Sequence, residues 1–227
     1  MKRTVFLGIA LLLGAASLYA QKPLTQKGRV SLYVMAGPAL SLHENAFSYR
    51  DEGRSMELLD LQYAAAVGYD FSEAVGLRFQ GAFGKDAAAC NVRQTAGNGF
   101  YPYTFKHVNG FADVVLNLSG LSGKATVFRP KIYAGLGGAY TFGFTDPGHP
   151  WQKITTKNTV FGFRGGFIAE YNFPFGLGMF MDLCGEAYTD MYNGLMPSDE
   201  DQQNYEGYAG LPFDLRGIAS FGLVFRF

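Results

Sequence analysis

The sequence predicts an all-β fold: a closed, antiparallel, eight-stranded, up-and-down β-barrel that spans a membrane. Three observations carry that prediction. Eight segments of about 11–17 residues alternate large apolar residues with polar or small ones. Charged residues within them keep to one parity. The connections between them alternate short and long. Composition agrees: of 227 residues 16% are aromatic and 30 are glycine, and after residue 20 no long apolar run occurs. A chain rich in Phe, Tyr and Gly that lacks apolar runs fits strands crossing lipid better than helices doing so.

The first twenty residues stand apart. Met1-Lys2-Arg3 is basic, Val5 to Ala16 is apolar, and Ala20 precedes polar Gln21. This is the pattern of a cleaved secretory signal peptide over 1–20. The apolar run falls short of the roughly 20 residues that a spanning helix needs. No cysteine lies near the cleavage point, so no lipid-anchored start is expected. Residues 21–227 then form one barrel domain. Formal net charge is zero, which argues against nucleic acid as a partner.

The elements follow in order. Strand 1 runs from about Arg29 to Leu40, with Val30, Leu32, Val34 and Ala36 on one face and Arg29, Ser31, Tyr33 and Gly37 on the other. The period is then lost over 41–57. Strand 2, Leu58 to Phe71, sets Leu59, Leu61, Tyr63, Val67, Tyr69 and Phe71 against Asp60, Gln62, Gly68 and Asp70. A tight turn at Ser72-Glu73-Ala74 leads into strand 3, Val75 to Lys85, and a long break follows to about Thr104. Strand 4, Phe105 to Leu118, alternates Val108, Ala112, Val114 and Leu116 with His107, Asn109, Phe111 and Asp113. After a Gly/Ser-rich turn, strand 5 spans Phe128 to Phe144, with Ile132, Leu136, Tyr140, Phe142 and Phe144 outward. Strand 6, Asn158 to Asn172, and strand 7, Leu177 to Thr189, flank the compact turn Phe173-Pro174-Phe175-Gly176. A long acidic loop reaches Pro212, and strand 8 closes the sheet from Phe213. Short turns thus gather at one end and long loops at the other.

Charge parity decides between lipid and a soluble sandwich. The interiors of the outward faces hold no Asp, Glu, Lys or Arg. The opposite faces carry Arg29, Asp60, Asp70, Arg78, Asp113, Lys131, Arg164, Glu170, Asp182, Glu186, Asp214, Arg216 and Arg226. In a sandwich the apolar face of one sheet is covered by a second sheet. Here all eight strands share the pattern, so no element remains to cover it and lipid must. An eight-stranded interior is just wide enough for side chains to fill. Unpaired charges there would be too costly, so Arg78, Lys131, Arg164 and Arg216 are expected to form an ion-paired plug with Asp113, Asp182 and Glu186.

The final strand is the most specific stretch. Phe221, Leu223, Phe225 and Phe227 alternate with Ser220, Gly222, Val224 and Arg226. Ser220, Gly222, Phe225 and Phe227 resemble the C-terminal signal that the outer-membrane barrel assembly machinery reads on its clients. With Phe111-Ala112-Asp113-Val114-Val115-Leu116-Asn117-Leu118 and Tyr133-Ala134-Gly135-Leu136-Gly137-Gly138-Ala139, the mature chain resembles the eight-stranded outer-membrane barrel family typified by the OmpA transmembrane domain and OmpX. The resemblance implies export to a Gram-negative outer membrane, outer-membrane lipid and the assembly machinery as partners, and both termini on the periplasmic side. The chain stops at its barrel, so the peptidoglycan-binding role of a following domain is not implied.

The leading functional expectation is a non-enzymatic barrel with a structural or surface-interaction role, its long loops offered to an extracellular partner. Phe100-Tyr101-Pro102-Tyr103, Trp151, Tyr205 and Tyr208 are candidate contacts, although aromatics near loop bases more often mark the lipid boundary. One alternative is a small-solute or ion pore. Another is a lipid A-modifying enzyme, which would use a histidine with a serine and an acid. His43 lies beside Glu44 and near Ser41 and Ser48; His107 points inward; His149 is in a loop. Spacing assembles no triad from them. A soluble ligand-holding barrel would need an apolar interior, against the charge parity. No cofactor and no metal are expected; the acidic run Asp199-Glu200-Asp201 reads as a solvated loop. Cys90 falls in a predicted loop and Cys184 inside the barrel, so a disulfide between them is not expected.

Overall fold

Eight extended segments, each with one face for each solvent, are joined in chain order into one closed antiparallel sheet. The computed structural model describes residues 29–42, 46–91, 100–121, 127–146, 148, 154–173, 176–189, 191–195 and 213–227. The strands are β1 (Arg29–Leu42), β2 (Leu59–Asp70), β3 (Val75–Asn91), β4 (Phe100–Asn117), β5 (Phe128–Phe142), β6 (Lys157–Asn172), β7 (Leu177–Thr189) and β8 (Phe213–Arg226). Closure comes from β1 pairing with β8, from Ser31 opposite Arg226 to Leu42 opposite Leu215. No strand edge is left to template aggregation. The expected leader over 1–20, His43, His149, Trp151, the acidic run 199–201, Tyr205 and Tyr208 lie outside the described residues.

The two faces of the sheet are inverted relative to a water-soluble protein. Phe79, Leu136 and Phe221 are each 60% exposed, whereas Arg78 is 1% exposed. Large apolar side chains cover the outside while charge is buried, which only a lipid-facing exterior makes favourable. Among the described buried residues six are basic (Arg78, Arg129, Lys131, Arg164, Arg216, Arg226) and six acidic (Asp86, Asp113, Glu170, Asp182, Glu186, Asp214). The balance allows every charge a partner of opposite sign.

The long-loop end departs from the sequence reading. β3 continues to Asn91 and β4 begins at Phe100, so the expected break over 85–104 is mostly a paired ribbon, from Asp86↔Phe105 to Asn91↔Phe100. Ala87-Ala88-Ala89 has no contrast between odd and even positions, which hid the strand. Cys90 therefore sits in β3 and is buried, not in a loop, and no disulfide joins it to Cys184. Residues 41–57 are not a featureless loop either. They include the end of β1, the short helix α1 (Ala46–Asp51) and the start of a 3-10 turn over Ser55–Leu58. The turn after β4 holds a second short helix, α2 (Leu118–Leu121). Phe144 was expected outward. Instead it stacks on Phe105, with ring centroids 5.0 Å apart, because Gly143 takes a left-handed φ of 66° and breaks the alternation.

The β3–β4 ribbon is covered on both sides. Its outward residues Ala87, Ala89 and Phe100 pack under Tyr49 and Leu58 of the first loop. Its inward residues Ala88, Cys90, Tyr103 and Phe105 pack with Tyr192 and Leu195 of the last loop.

Candidate functional site

Strand register assembles the interior. One row of partners runs from Arg78 on β3 to Asp113 on β4, Gly135 on β5, Arg164 on β6, Glu186 on β7, Arg216 on β8 and Ser41 on β1. Basic and acidic residues alternate along it, with Gly135 where a side chain would intrude. A Cβ at Gly135 would lie 2.2 Å from Asp113 Oδ1. Asp113 accepts from Arg78 Nε at 2.8 Å, from Arg164 Nε at 2.7 Å and from Arg164 Nη2 at 2.6 Å. Arg78 Nη1 also donates to Asp182 Oδ2 at 3.0 Å, and Tyr133 Oη donates to Asp182 Oδ1 at 2.8 Å. Arg216 Nη1 donates to Glu186 Oε2 at 2.7 Å, and Arg164 Nη1 lies 3.8 Å from Glu186 Oε1. The guanidinium carbons of Arg78 and Arg164 sit 4.1 Å and 4.6 Å from the ring centres of Tyr133 and Phe111. Planar cations over aromatic faces add favourable contact beside the ion pairs. Of the expected plug residues, Arg78, Asp113, Arg164, Asp182, Glu186 and Arg216 meet in this one lattice.

Lys131 belongs to a second cluster nearer the short turns. Its Nζ donates to Glu170 Oε2 at 2.7 Å and to Tyr33 Oη at 3.2 Å. Arg226 also donates to Glu170, and its Nε donates to Asn172 Oδ1 at 3.0 Å. Its Nη1 lies 3.4 Å from Asp70 Oδ2. The terminal strand therefore contributes a cation to the interior. Ser220 is buried on the same parity, and Gly222 leaves room for Phe180, whose Cζ would be 2.8 Å from a Cβ there. Phe225 is half-buried on the outer parity and Phe227 is exposed.

A third cluster, which sequence reasoning missed, lies at the long-loop mouth. Asp86 is fully buried. It accepts from Ser41 Oγ at 2.8 Å, from Arg216 Nη2 at 3.3 Å, and from the Tyr192 hydroxyl. His107 Nδ1 is 3.1 Å from Asp86 Oδ2 but is not aligned for a hydrogen bond. Tyr192 stacks on Tyr188, with centroids 4.3 Å apart, and Tyr103 Oη donates to the Asn193 carbonyl at 2.8 Å. The last loop is thus tied into the barrel mouth. Tyr103 points inward and is buried, so it is not the partner contact that the sequence suggested. The only available signal was the inward parity of Asp86, one residue past the predicted end of strand 3.

On the outside of the ribbon, Tyr49 Oη donates to the Ala88 carbonyl at 2.8 Å. Burial, then the nearby Glu57 carboxylate, pushes this hydroxyl's pKa above the ordinary tyrosine value. Arg54 and Glu57 pair on the surface at 2.6 Å, and Arg54 lies 5.0 Å from the Phe100 ring centre. An exposed pair of this kind adds little stability.

Ser41, Asp86 and His107 come together, yet the carboxylate stands between hydroxyl and imidazole. Nucleophilic catalysis needs the imidazole in the middle, in reach of the hydroxyl. All three side chains are also buried. Among the described residues no group of His, Cys, Asp and Glu is placed to hold a metal ion.

No family model and no curated protein matches the chain. Solved structures do. A major outer membrane protein from Thermus thermophilus aligns with a TM-score of 0.51 at 17% identity, over 87% of this chain and 99% of that one. OprG from Pseudomonas aeruginosa gives 0.48 at 13%, covering 89% and 97%. Ail, the attachment invasion locus protein of Yersinia pestis, solved with the heparin analogue sucrose octasulfate, gives 0.44 at 15%, covering 89% and 100%. At these identities the likeness is one of fold, the eight-stranded outer-membrane β-barrel, and the first of them carries it.

Proposed function

We propose that this chain is an integral outer-membrane protein whose barrel is a closed, non-conducting anchor and whose long-loop end is the working surface. It acts by display and contact, not by catalysis or transport. The observation that carries this reading is the continuity of the interior. Ion pairs join Asp70, Arg226, Glu170 and Lys131 near the short turns, and a second set runs from the lattice around Asp113 to Asp86 beneath Tyr192. Tyr33, which accepts from Lys131, and Tyr133, which donates to Asp182, belong to one buried cluster that bridges the two sets. A solute would have to break several buried pairs at once, each break costing about 3–5 kcal/mol. The short turns then face the periplasm and the long loops the outside. The doubly covered β3–β4 ribbon gives the loops a rigid stem, and rigid presentation lowers the entropic cost of binding a partner.

The test is orientation and display in whole cells. An epitope placed between Asn91 and Phe100 should be reached by antibody on intact cells. One placed between Leu121 and Phe128 should be reached only after the membrane is opened. Folded protein should also migrate differently on a gel before and after boiling. Equal accessibility of the two epitopes, or no heat-dependent shift, would refute the reading.

A further inference from the structure

Outward-facing charge on the described strands is confined to three residues, Lys85, Lys106 and Lys157. All are cations and all are exposed; Lys85 and Lys106 lie in the long-loop halves of β3 and β4, at the base of the ribbon, and Lys157 opens β6. Register places them in one row: Lys85 on β3 opposite Lys106 on β4, Lys106 opposite Phe142 on β5, and Phe142 opposite Lys157 on β6. Directly opposed like charges on neighbouring strands repel. No ion pair with a described residue relieves any of the three. The row borders the apolar belt without a gap. Phe83, Val108 and Tyr140 are exposed on the same parity two residues nearer the membrane, and Phe142 stacks on Tyr140 with centroids 5.5 Å apart.

We propose that the row Lys85–Lys106–Phe142–Lys157 is a docking surface for the phosphate-bearing headgroup of an outer-leaflet lipid. The inference rests on the outer-membrane reading above and deepens it. Among the described strand residues no acid shares that face, so the cations select an anion. Continuity with the lipid-facing belt selects an anion that carries acyl chains, since one molecule can lay its tails on Phe83, Val108 and Tyr140 while its phosphate bridges Lys85 and Lys106. Lys106 leans toward the end of β5, with its Cδ 4.0 Å from where a Cβ on Gly143 would sit. Adjacent strands lie about 4.8 Å apart, so Lys157, two strands on from Lys106, can hold a second phosphate or a neighbouring headgroup.

The experiment uses the full refolded protein in detergent micelles doped with equal amounts of phosphatidic acid and phosphatidylcholine, with retained lipid counted by native mass spectrometry. The expected result is preferential retention of phosphatidic acid. A juxtamembrane lysine contributes about a fivefold preference for anionic lipid, so K85Q/K106Q should lower the ratio by an order of magnitude or more. K85E/K106E should reverse it. These side chains lie outside the interior lattice, so heat-dependent gel migration should be unchanged. Equal retention of the two lipids by the natural protein, or an unchanged ratio in both variants, would overturn the proposal. Displacement of the lipid by inorganic phosphate alone would show a soluble-anion site and overturn it too. Absence of the heat-dependent shift in the natural protein would instead count against the barrel reading itself.

Discussion

Asp113 is the residue whose loss the interior lattice should feel most. It accepts three hydrogen bonds from two arginines, at 2.6, 2.7 and 2.8 Å, and is fully buried. Asp113→Ala removes the acceptor and leaves Arg164 with only Glu186, at 3.8 Å. Arg78 keeps Asp182 at 3.0 Å. Three charge-assisted hydrogen bonds at about 1.5–3 kcal/mol each set an upper bound. Retention of one partner by each arginine pulls the cost toward the range for breaking a buried pair, about 3–5 kcal/mol. With an m-value of about 2 kcal/mol/M, the urea midpoint in vesicles should fall by about 2 M. Replacing the pair together, as Asp113→Leu with Arg164→Met, should recover part of the loss, because the uncompensated Arg164 charge goes with the carboxylate. A shift in Asp113→Ala below about 0.5 kcal/mol, the size of an ordinary surface change, would refute the lattice as a source of stability.

Other expectations follow from the mouth and the ribbon. Tyr192→Phe removes the hydroxyl donated to Asp86 and should release the last loop at a cost of about 1.5–3 kcal/mol for a hydrogen bond to a charged group. Faster hydrogen exchange at residues 191–195, with the barrel strands unchanged, would be the readout, and unchanged exchange would contradict it. Gly135→Ala places a Cβ 2.2 Å from Asp113 Oδ1 and should cost about 1–3 kcal/mol by overpacking; an unfolding midpoint equal to that of the natural protein would count against the register row. Tyr49 has its pKa raised by burial, so the folded state binds this proton more tightly than the unfolded state. Docking of the first loop should be at full strength below the ordinary tyrosine range near about 10 and weaken as pH rises above it. Tyr49→Phe should leave the phenolate absorbance gained through that range unchanged, whereas a missing tyrosine there would mean the hydroxyl is not buried.

The eight strands were legible because lipid outside and charge inside write the same period-two signal on every segment. The inward side chains followed from parity alone: Arg78, Asp113, Lys131, Arg164, Asp182, Glu186 and Arg216 are all buried. Their pairing was not legible. Which carboxylate meets which guanidinium depends on register, and register depends on turn geometry and on how the sheet closes. Asp86 escaped because the alanines after it carry no contrast between faces, so the strand seemed to end at Lys85. Phe144 was misplaced because one left-handed glycine resets parity, and a Gly in an alternating run looks like any other small inward residue. The three outward lysines were hidden in the same way, since they lie where strands were expected to give way to loops. Their alignment appears only when Lys85, Lys106, Phe142 and Lys157 are read across four strands rather than along one.

The most direct test of the central claim is conductance of the purified, refolded protein in a planar lipid bilayer, compared with a variant whose lattice is opened at its centre and at the mouth, Asp113→Ala with Tyr192→Ala. A closed anchor predicts a silent natural protein under conditions where gel migration shows it folded. The variant, with the mouth untied and the central carboxylate gone, should pass current. Steady, reproducible channels from the natural protein would contradict the account, because the buried charges would then be lining water rather than one another.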